Sequence, residues 1–434
     1  MIVSNLEEIK NIQFQKVEDN DTYLKNLYKA FLDLHESMKK NKDVLAKLQA
    51  SESGKPIKYC QIEIERCIEQ LNQAITYIQC YNYDVDEKEK IKKSKRISIG
   101  IVLGITTFSS PYSSFFHKII PSLICGNMFV FVPSPKVCRC SKELFCLLEQ
   151  SMKKYLTKMK ERLFFVNTAL IDAKDVISRL KFNYILFTGK SETAFLIKQQ
   201  IGYQHGTFET GSNAMAYVDK KIDNLEDLAQ SLVHAAFAQS GMRCIALKNL
   251  FIHKEISEKL IERVIFYARK ILIGNPLDKN VIVGPIYDSS MLSKLINNIT
   301  ILKTSGYQVL LGGYIYDNNI LLPTILLDLS REILSIQEMY GPILCIHVVK
   351  NFEEIDEKYY KRSSLNTAFF SKDLDEVNRF IEFCDTCGTI CINCGPDRRD
   401  DNAPFGGLFD ENDGKEDLET LIKNLSIEQK IQTY

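Results

Sequence analysis

Two residues of this chain, Cys244 and Glu209, lie in settings that suggest covalent chemistry. Cys244 belongs to the segment SGMRC, in a predicted loop directly after a helix, with Arg243 before it. A neighbouring cation favours the thiolate, which is the nucleophilic form of cysteine. Glu209 ends the run GTFE, and Gly211 behind it lets the backbone approach a ligand. An apolar pocket would raise the pKa of this carboxyl group and make it a general base. The alternative for Cys244 is an inert buried thiol, and the alternative for Glu209 is a surface glutamate.

A candidate phosphate-binding turn is FTGKSETA at 187–194. A predicted strand ends there at Gly189 and a helix begins at Ser191. Backbone N–H groups at a helix start, together with the Lys190 side chain, attract an anion. The chain contains neither G-x-G-x-x-G nor the Walker pattern, so an ordinary dinucleotide fingerprint is absent from the sequence. By itself the turn is more typical of a plain capped connection.

Four cysteines near the end of the chain have a spacing that suggests a metal site. Cys384 and Cys387 form one C-x-x-C pair, and Cys391 and Cys394 form a second one. The second pair falls in TICINC, a predicted strand whose alternation would send its two thiols to opposite faces. The gap between the pairs is also too short for a structural zinc site. We therefore predict core thiols and no metal.

Composition excludes several classes of protein. The 434 residues carry 55 Lys+Arg against 55 Asp+Glu, so the basic excess that nucleic-acid binding requires is missing. No run approaches the roughly 18 apolar residues of an integral membrane segment, and the first residues do not resemble a signal peptide. Thirteen cysteines in a chain of this length fit reduced thiols. We expect a soluble, cytoplasmic protein without a nucleic-acid partner.

The periodicity of apolar residues changes along the chain. Helical spacing dominates the first 80 residues or so, whereas from residue 97 short β-branched runs alternate with helices. Such runs indicate parallel strands buried on both faces, and ligands bind beyond the carboxyl ends of such strands. A second α/β pattern begins near Glu209, followed by a helix that Asn224 caps and Gly241 ends. The predicted fold class is α/β, with two doubly wound domains.

Longer segments resemble the aldehyde dehydrogenase superfamily nearly from end to end. ETGSNAMAYVD followed by AFAQSGMRC is similar to the family's catalytic segment, in which E-L-G-G-N-A-P precedes G-Q-R-C. Further matches are SGKP (53–56), NYILFTGKSE (183–192), QEMYGPIL (337–344) and APFGG (403–407). The resemblance implies two Rossmann-like domains and identifies the chain as a divergent, short member with a reduced oligomerisation element.

The resemblance implies a role for each matching residue. Cys244 matches the nucleophile, which forms a thiohemiacetal and then a thioester, and Glu209 matches the base that activates water to hydrolyse it. Glu338 matches the residue that holds the nicotinamide ribose, while Lys118 and Glu416 match residues near the active site. The expected cofactor is NAD or NADP. The residues placed at it are Thr106, Thr107, Phe108, Val132, Ser134, Gly189, Lys190, Thr210, Gly211, Glu338 and Tyr340.

Three departures from the family pattern bear on activity. Ser109 stands where the family has its oxyanion asparagine, and loss of such a donor costs about 10² to 10³ in rate. Val132 and Pro135 replace the lysine of the K-P-S-E motif and its acidic companion, and NTALIDA (167–173) replaces a glycine-rich turn. The main prediction remains an NAD(P)-dependent dehydrogenase that releases a carboxylic acid. The alternatives are a catalytically impaired homologue acting as a binding or structural subunit, and a coenzyme A-acylating enzyme.

Domain boundaries and partners follow from the same resemblance. We expect a cofactor-binding domain at 1–83 and 97–208, a catalytic domain at 209–416, and oligomerisation or bridging segments at 84–96 and 417–434. The expected partners are a small aldehyde and a second copy of the chain in a homodimer. By alignment, the aldehyde pocket is lined by Phe108, Tyr112, Phe115, His117 and Ile245, with Arg398 and Arg399 at its mouth or in a solvated loop.

Overall fold

The computed structural model describes residues 1–80, 94–156, 162–317, 319–330, 338–362, 365–400, 403–408 and 412–432. Residues 84–93 of the predicted oligomerisation element lie outside these ranges. In the described ranges the helices are α1 (Leu6–Lys10), α2 (Asn20–Ser53), α3 (Ile57–Cys80), α4 (Pro111–Ile124), α5 (Cys138–Tyr155), α6 (Ala173–Arg179), α7 (Ser191–Ile201), α8 (Leu225–Phe237), α9 (Ser257–Ala268), α10 (Ser289–Thr304), α11 (Glu357–Arg362), α12 (Leu374–Phe383) and α13 (Leu418–Asn424).

The same ranges contain the following strands. They are β1 (Ile2–Val3), β2 (Ser94–Ser98), β3 (Ile101–Ile105), β4 (Met128–Val132), β5 (Leu163–Val166), β6 (Tyr184–Thr188), β7 (His205–Glu209), β8 (Met215–Val218), β9 (Asn249–His253), β10 (Tyr307–Leu311), β11 (Ile315–Tyr316), β12 (Ile320–Leu321), β13 (Thr324–Asp328), β14 (Ile343–Val349), β15 (Asn366–Phe370), β16 (Thr389–Ile392), β17 (Asn412–Asp413) and β18 (Ser426–Lys430).

The first large sheet has the order β1-β5-β4-β3-β6-β7-β17 over the described residues. Its neighbours are parallel except β17, which pairs antiparallel with β7. The strands are buried on both faces because alternate residues enter two different cores. Phe129 and Phe131 of β4 pack against the layer of α2 to α5, whereas Met128 and Val130 pack toward α6 and α7.

The second large sheet has the order β10-β13-β14-β9-β8-β15-β16 in the described part of the chain. Only the β10 to β13 pair among these is antiparallel. One face packs on α8 and α9, and the other faces α10 to α12. The predicted α/β class with two Rossmann-like sheets is therefore confirmed in outline by strand order and packing.

The structure confirms the predicted start of α8, but it corrects the predicted end of that helix and the placement of one short strand, β17. Asn224 caps α8 as expected, since its side chain accepts hydrogen bonds from the backbone N–H groups of Glu226 and Asp227. The helix ends at Phe237 rather than at Gly241, because Gln239 and Ser240 adopt left-handed backbone angles with φ of 57°. β17 lies inside the range predicted as catalytic domain, yet it extends the first sheet.

The segments predicted to bridge subunits meet at a small separate sheet. β2 pairs antiparallel with β18, from Ser98 opposite Ser426 to Ser94 opposite Lys430. Among the described residues, no helix has both the length and the apolar character that a membrane crossing requires.

Candidate active site

The cavity at the carboxyl ends of the first sheet's strands has a volume of about 1190 Å³. β3, β4, β6 and β7 all end at this edge, because parallel strands point the same way. The cavity brings together all fourteen residues predicted from the sequence as catalytic or cofactor-binding. They are Cys244, Glu209, Ser109, Thr106, Thr107, Phe108, Val132, Ser134, Gly189, Lys190, Thr210, Gly211, Glu338 and Tyr340.

The loop that carries Cys244 is held by its own strained turn. Gln239, in the left-handed region, donates through Nε2 to the carbonyl oxygens of Met242 at 3.3 Å and of Ser109 at 3.1 Å. Gly241 lies so close to Gly341 that a Cβ atom would come within 2.3 Å of the Gly341 carbonyl oxygen. The cysteine loop is thus packed directly against the loop that follows Glu338.

The electrostatics of Cys244 differ from the sequence prediction. Burial, and then the negative charge of Glu209, raise the pKa of the thiol to about 11. Arg243 does not point at the sulfur: it pairs with Asp397 at 3.1 Å and donates to the carbonyl oxygens of Ala235 and His234 at 3.0 and 3.3 Å. The charge of Arg243 favours the thiolate as expected, and so does that of Arg399, but burial has the larger effect and the net pKa is raised.

Glu209 ends β7 and is buried. Its backbone oxygen accepts a hydrogen bond from the Gly189 N–H at 3.0 Å, which joins the base candidate to the predicted phosphate turn. Close by, Lys118 of α4 is fully buried and donates to Glu416 and to the Thr188 hydroxyl, both at 2.6 Å. Lys118 and Glu416, left without a role by the sequence, thus form a buried ion pair, with Glu416 lining the cavity.

Ser109 is oriented through both its side chain and its backbone. The Tyr340 hydroxyl donates to Ser109 Oγ at 2.7 Å, and burial raises the pKa of Tyr340, so the phenol is a neutral donor. The Ser109 carbonyl oxygen accepts from Lys55 Nζ as well as from Gln239, each at 3.1 Å. With one oxygen lone pair engaged by Tyr340, the Ser109 hydroxyl can donate its own proton to Thr107 Oγ1, which lies 3.4 Å away, or to a group in the cavity.

Lys55 and Glu63 support the Ser109 loop from beneath. Lys55 Nζ lies 2.5 Å from Glu63 Oε2, and both side chains are buried. Glu63 Oε1 accepts from the backbone N–H groups of Tyr112 and Ser113 at 2.9 and 3.0 Å, which satisfies donors at the start of α4. Glu63 was not predicted from the sequence. The feature that could have indicated it is a charged residue within the apolar stripe of α3.

Glu338 lies against backbone on one side and a buried cation on the other. A Cβ atom on Gly211 would come within 1.7 Å of Glu338 Oε2, so only glycine fits there. Burial raises the pKa of Glu338, while the positive charge of Lys248 and a hydrogen bond from the Ser212 backbone oppose that rise. Lys248 is buried, which lowers its pKa, and its Nζ donates to the carbonyl oxygens of Gly241 at 2.5 Å and Gly341 at 3.1 Å.

The opposite wall of the cofactor end is made by the ends of β4 and β6. Lys190 immediately precedes α7, and its side chain makes no capping hydrogen bond. Lys190 and the first residues of α7 line the cavity, so the start of the helix faces it. Val132 and Ser134 line the cavity with Lys136, whose ammonium group pairs with Asp288 and lies 4.9 Å from the centre of the Phe108 ring. No acidic residue follows β4 directly.

The end of the cavity beyond Cys244 is lined by two arginines. Arg66 of α3, His117 of α4 and Arg399 line it together with Ile245 and Phe405. Arg399 donates to His117 Nε2 at 3.1 Å and lies 3.7 Å from the centre of the Phe405 ring. Burial, and then the charge of Arg399, lower the pKa of His117 well below its usual range, so this imidazole is neutral.

The predicted aldehyde pocket is partly wrong. Phe108, His117 and Ile245 line the cavity as expected, but Tyr112 and Phe115 are fully buried in the core beneath α4. Arg399 lines the cavity. Arg66 was missed because a single arginine on a helix gives no sequence signal of its own.

The four late cysteines are free thiols. Cys384, Cys387, Cys391 and Cys394 form no disulfide, and among the described residues no three His, Cys, Asp or Glu side chains are placed to hold a metal ion. Cys391 and Cys394 both contact the same apolar core. The argument from strand alternation fails because β16 ends at Ile392 and Asn393 adopts a φ of 52°.

Comparison with known proteins identifies the family. A family model described as the aldehyde dehydrogenase family matches residues 16–429. The chain belongs to this family. Its similarity to aldehyde dehydrogenases extends to individual relatives. Lactaldehyde dehydrogenase of Methanocaldococcus jannaschii is 29% identical over 401 residues, which cover 92% of this chain and 86% of that protein.

Two further relatives are informative. Sulfoacetaldehyde dehydrogenase of Neptuniibacter caesariensis is 27% identical, over 90% of this chain and 86% of that protein. Glyceraldehyde-3-phosphate dehydrogenase of Methanocaldococcus jannaschii, solved in complex with NADP, matches with a TM-score of 0.86 at 28% identity, over 98% of this chain and 91% of that one. These similarities confirm the predicted family, fold and enzyme class, an oxidoreductase acting on aldehydes, and the NADP agrees with the predicted type of cofactor.

Proposed function

We propose that this aldehyde dehydrogenase oxidises a short aldehyde bearing an anionic group to the carboxylic acid, with NAD(P)⁺ as hydride acceptor. Cys244 is the nucleophile, Glu209 the base for hydrolysis and Ser109 the oxyanion donor. The observation that carries the proposal is that one cavity contains Cys244 and Glu209 between a carboxylate-lined end at Glu338 and an arginine-lined end.

The residues at the carboxylate-lined end fit a nicotinamide dinucleotide. Glu338 Oε1 is buried and accepts no hydrogen bond within the described part of the chain, so an acceptor is available for ribose hydroxyl groups. Gly211 leaves room for that carboxylate, and the start of α7 at Lys190 provides N–H groups for a diphosphate. When bound, the dinucleotide supplies the hydride acceptor for the reaction.

The protein side chains divide the covalent chemistry between them. The Cys244 thiolate attacks the aldehyde carbon and forms a thiohemiacetal, whose developing oxyanion accepts a hydrogen bond from Ser109. After oxidation the thioester carbon is attacked by a water molecule that transfers a proton to Glu209, and the C–S bond breaks to release the acid. The effect of the Glu209 charge on the pKa of Cys244 supports this role, because it shows that the two groups are close enough to interact.

The hydrogen bond from Tyr340 supports a functional Ser109. A hydroxyl that accepts from one donor becomes a better donor itself, because successive hydrogen bonds polarise one another. The shorter reach of serine relative to asparagine is offset by a loop whose carbonyl is fixed by Lys55 and Gln239. This arrangement favours the active enzyme over the impaired homologue.

The arginine-lined end supports the anionic class of substrate. Arg66 and Arg399 place two guanidinium groups at the cavity wall, beside the neutral imidazole of His117. Guanidinium groups bind carboxylate, sulfonate or phosphate through charge-assisted hydrogen bonds. Sulfoacetaldehyde and glyceraldehyde-3-phosphate, named in two relatives, both carry such a group.

The test is production of reduced cofactor by purified protein with NAD⁺ or NADP⁺. The panel contains sulfonated, carboxylated and phosphorylated aldehydes with neutral aldehydes of equal length, with and without coenzyme A. Cys244→Ser should abolish turnover, whereas Cys138→Ser, a half-buried cysteine outside the cavity, should not change it. Turnover requiring coenzyme A would favour the acylating alternative, and neither turnover nor cofactor binding would favour the impaired homologue.

We further infer that the sheets represent the predicted cofactor-binding (1–83, 97–208) and catalytic (209–416) domains of a cytoplasmic homodimer. β18 supports the dimer, because it pairs with β2 and exposes Ile427. Light scattering should give twice the chain mass for the native protein, and Ile427→Lys should shift it toward the monomer. A monomeric native protein would exclude the dimer.

A further inference from the structure

Cys384 and Cys387 lie next to each other at the end of α12, far along the chain from the catalytic Cys244. Their sulfur atoms are 3.6 Å apart, which is close contact between two thiols. Cys387 also donates to the Thr389 carbonyl oxygen at 3.4 Å, so the Cys384 thiol is left to donate to Cys387. The pair is therefore oriented sulfur to sulfur in the reduced protein.

The segment between the two cysteines permits the sulfurs to approach further. α12 ends at Phe383, and the Cys384 N–H makes the last helical hydrogen bond, to the Phe380 carbonyl oxygen at 2.9 Å. Residues 385–388 then form an irregular turn before β16 begins at Thr389. A disulfide needs an S–S separation of about 2.0 Å, and side-chain rotation in such a turn supplies most of the change from a contact distance. Cys384 is anchored in the core of Phe380 and Tyr360, whereas Cys387 is only partly buried.

The two thiols are chemically different. The hydrogen bond from Cys384, followed by that from Thr367, lowers the pKa of Cys387 despite partial burial. The same contact, together with burial, raises the pKa of Cys384. Cys387 thus has the greater thiolate character and is the attacking sulfur, and Cys384 is the resolving partner.

A second cavity, of about 480 Å³, reaches this turn at Asp385 and Thr386. Its lining is acidic, with Glu353, Glu354, Asp356, Glu357 and Asp385. Carboxylates repel an anionic oxidant such as oxidised glutathione, while a small neutral oxidant is unaffected.

We propose that Cys384 and Cys387 are a redox modification site that forms a reversible disulfide with hydrogen peroxide or another neutral hydroperoxide. The Cys387 thiolate attacks one peroxide oxygen, the O–O bond breaks, and a sulfenic acid and hydroxide result. The Cys384 sulfur then attacks the sulfenic sulfur, the S–O bond breaks, and the hydroxyl group leaves as water with the thiol proton. In total two thiols are oxidised to one disulfide, and hydrogen peroxide is reduced to two molecules of water, or a hydroperoxide to one alcohol and one water.

The test uses the full chain, treated with hydrogen peroxide and then with an alkylating reagent. Trypsin releases the peptide 380–398, which contains all four late cysteines. We expect this peptide to lose two of its four alkylation sites, with fragment ions assigning the loss to Cys384 and Cys387, and dithiothreitol to restore both. Oxidised glutathione at equal concentration should act at least about tenfold more slowly, corresponding to about 1.4 kcal/mol of barrier.

Two variants provide the controls. Cys387→Ser should abolish the intramolecular product and leave Cys384 alkylatable, whereas Cys394→Ser should form the product as the native chain does. The proposal is overturned if residues 384 and 387 stay alkylatable under peroxide that has already oxidised Cys244, or if the product persists in Cys387→Ser. The mass measurement on the native chain requires no variant and does not depend on aldehyde turnover. Its failure would therefore leave the proposed function unaffected, and failure of the proposed function would leave the disulfide proposal unaffected.

Discussion

The two ends of the main cavity are built differently. At the cofactor end the wall is largely backbone and strand termini: Gly189, Gly211 and the start of α7 follow strands of the first sheet directly. At the far end the wall is made of long side chains from separate elements, with Arg66 on α3, His117 on α4 and Arg399 in a late loop. A backbone-lined wall suits a constant ligand, whereas a wall of replaceable side chains suits a specificity that changes among relatives.

Cys244 and Glu209 lie between these ends and connect them. Gly241 packs against Gly341 on the cofactor side, while Arg243 pairs with Asp397, two residues before Arg399. Substitutions at the centre should therefore abolish the reaction with every substrate, and substitutions at the arginine-lined end should change only which aldehyde is used.

The largest expected effect is at the centre. Glu209→Gln should lower steady-state turnover by about 10² to 10⁴, the usual contribution of a general base, and leave a rapid burst of reduced cofactor. The burst persists because acylation of Cys244 does not use this base, whereas hydrolysis of the thioester does. Stopped-flow absorbance at 340 nm measures both phases, with the exposed Glu258→Gln on α9 as control. Unchanged steady-state rates would remove Glu209 from deacylation.

A smaller effect is expected at the arginine-lined end. Arg399→Gln should raise the KM for an anionic aldehyde by about 30- to 100-fold, equivalent to the 2 to 3 kcal/mol of a charge-assisted hydrogen bond. A neutral aldehyde of equal length should change by less than about threefold, because it makes no such contact. The matched control is Arg398→Gln at the neighbouring arginine. Equal losses for both aldehydes would mean that this end does not select charge.

The raised pKa of Cys244 predicts how its rate of alkylation depends on pH. Because burial and Glu209 raise its pKa to about 11, the thiolate fraction should increase about tenfold for each pH unit from 7 to 10. The rate of alkylation of Cys244 by iodoacetamide, followed by mass spectrometry of its peptide, should rise with that slope. A plateau near pH 8 would instead indicate a thiolate stabilised by a cation, as the sequence suggested.

The smallest effect is expected at Tyr340, which orients the proposed oxyanion donor Ser109. Tyr340→Phe removes one hydrogen bond to Ser109 and should lower kcat about five- to tenfold, equivalent to about 1 to 1.4 kcal/mol, without changing KM. Ser109→Ala should cost more, because it removes the donor itself. Steady-state kinetics with one anionic aldehyde distinguish the two. A Ser109→Ala enzyme with native kcat would assign the oxyanion to another donor.

Much of the fold could be predicted because the apolar pattern is local. Runs such as MFVFV and NYILF are continuous β-branched and aromatic stretches, and they form β4 and β6 as central strands buried on both faces. β17 could not be foreseen, since its two residues have no pattern and exist as a strand only by pairing with β7. The end of α8 was also missed, because the left-handed angles at Gln239 and Ser240 depend on packing against distant loops.

Some residues of the candidate site were predicted correctly from the sequence, and others were not. Residues in motifs, such as Cys244, Glu209 and Glu338, fell into one cavity because each follows a strand or turn that the fold brings to the same edge. Tyr112 and Phe115 were misplaced because alignment does not report which face of α4 is buried. The effect of Arg243 on Cys244 was predicted in the right direction but overestimated, because the sequence does not report how deeply the thiol is buried or that the guanidinium group pairs with Asp397.

The sequence by itself determined the central strands of the sheets, that parallel strands end at a common edge, and which cysteine and carboxylates lie there, since these depend on local periodicity and motif spacing. Tertiary structure alone decided the acidity of Cys244, the Tyr340 to Ser109 hydrogen bond, the Lys55 to Glu63 ion pair and the presence of Arg66 and Arg399 in one cavity. The physical reason is that burial, charge and hydrogen bonding act through space, between groups as far apart in the chain as residues 66 and 399, and no local pattern encodes those distances.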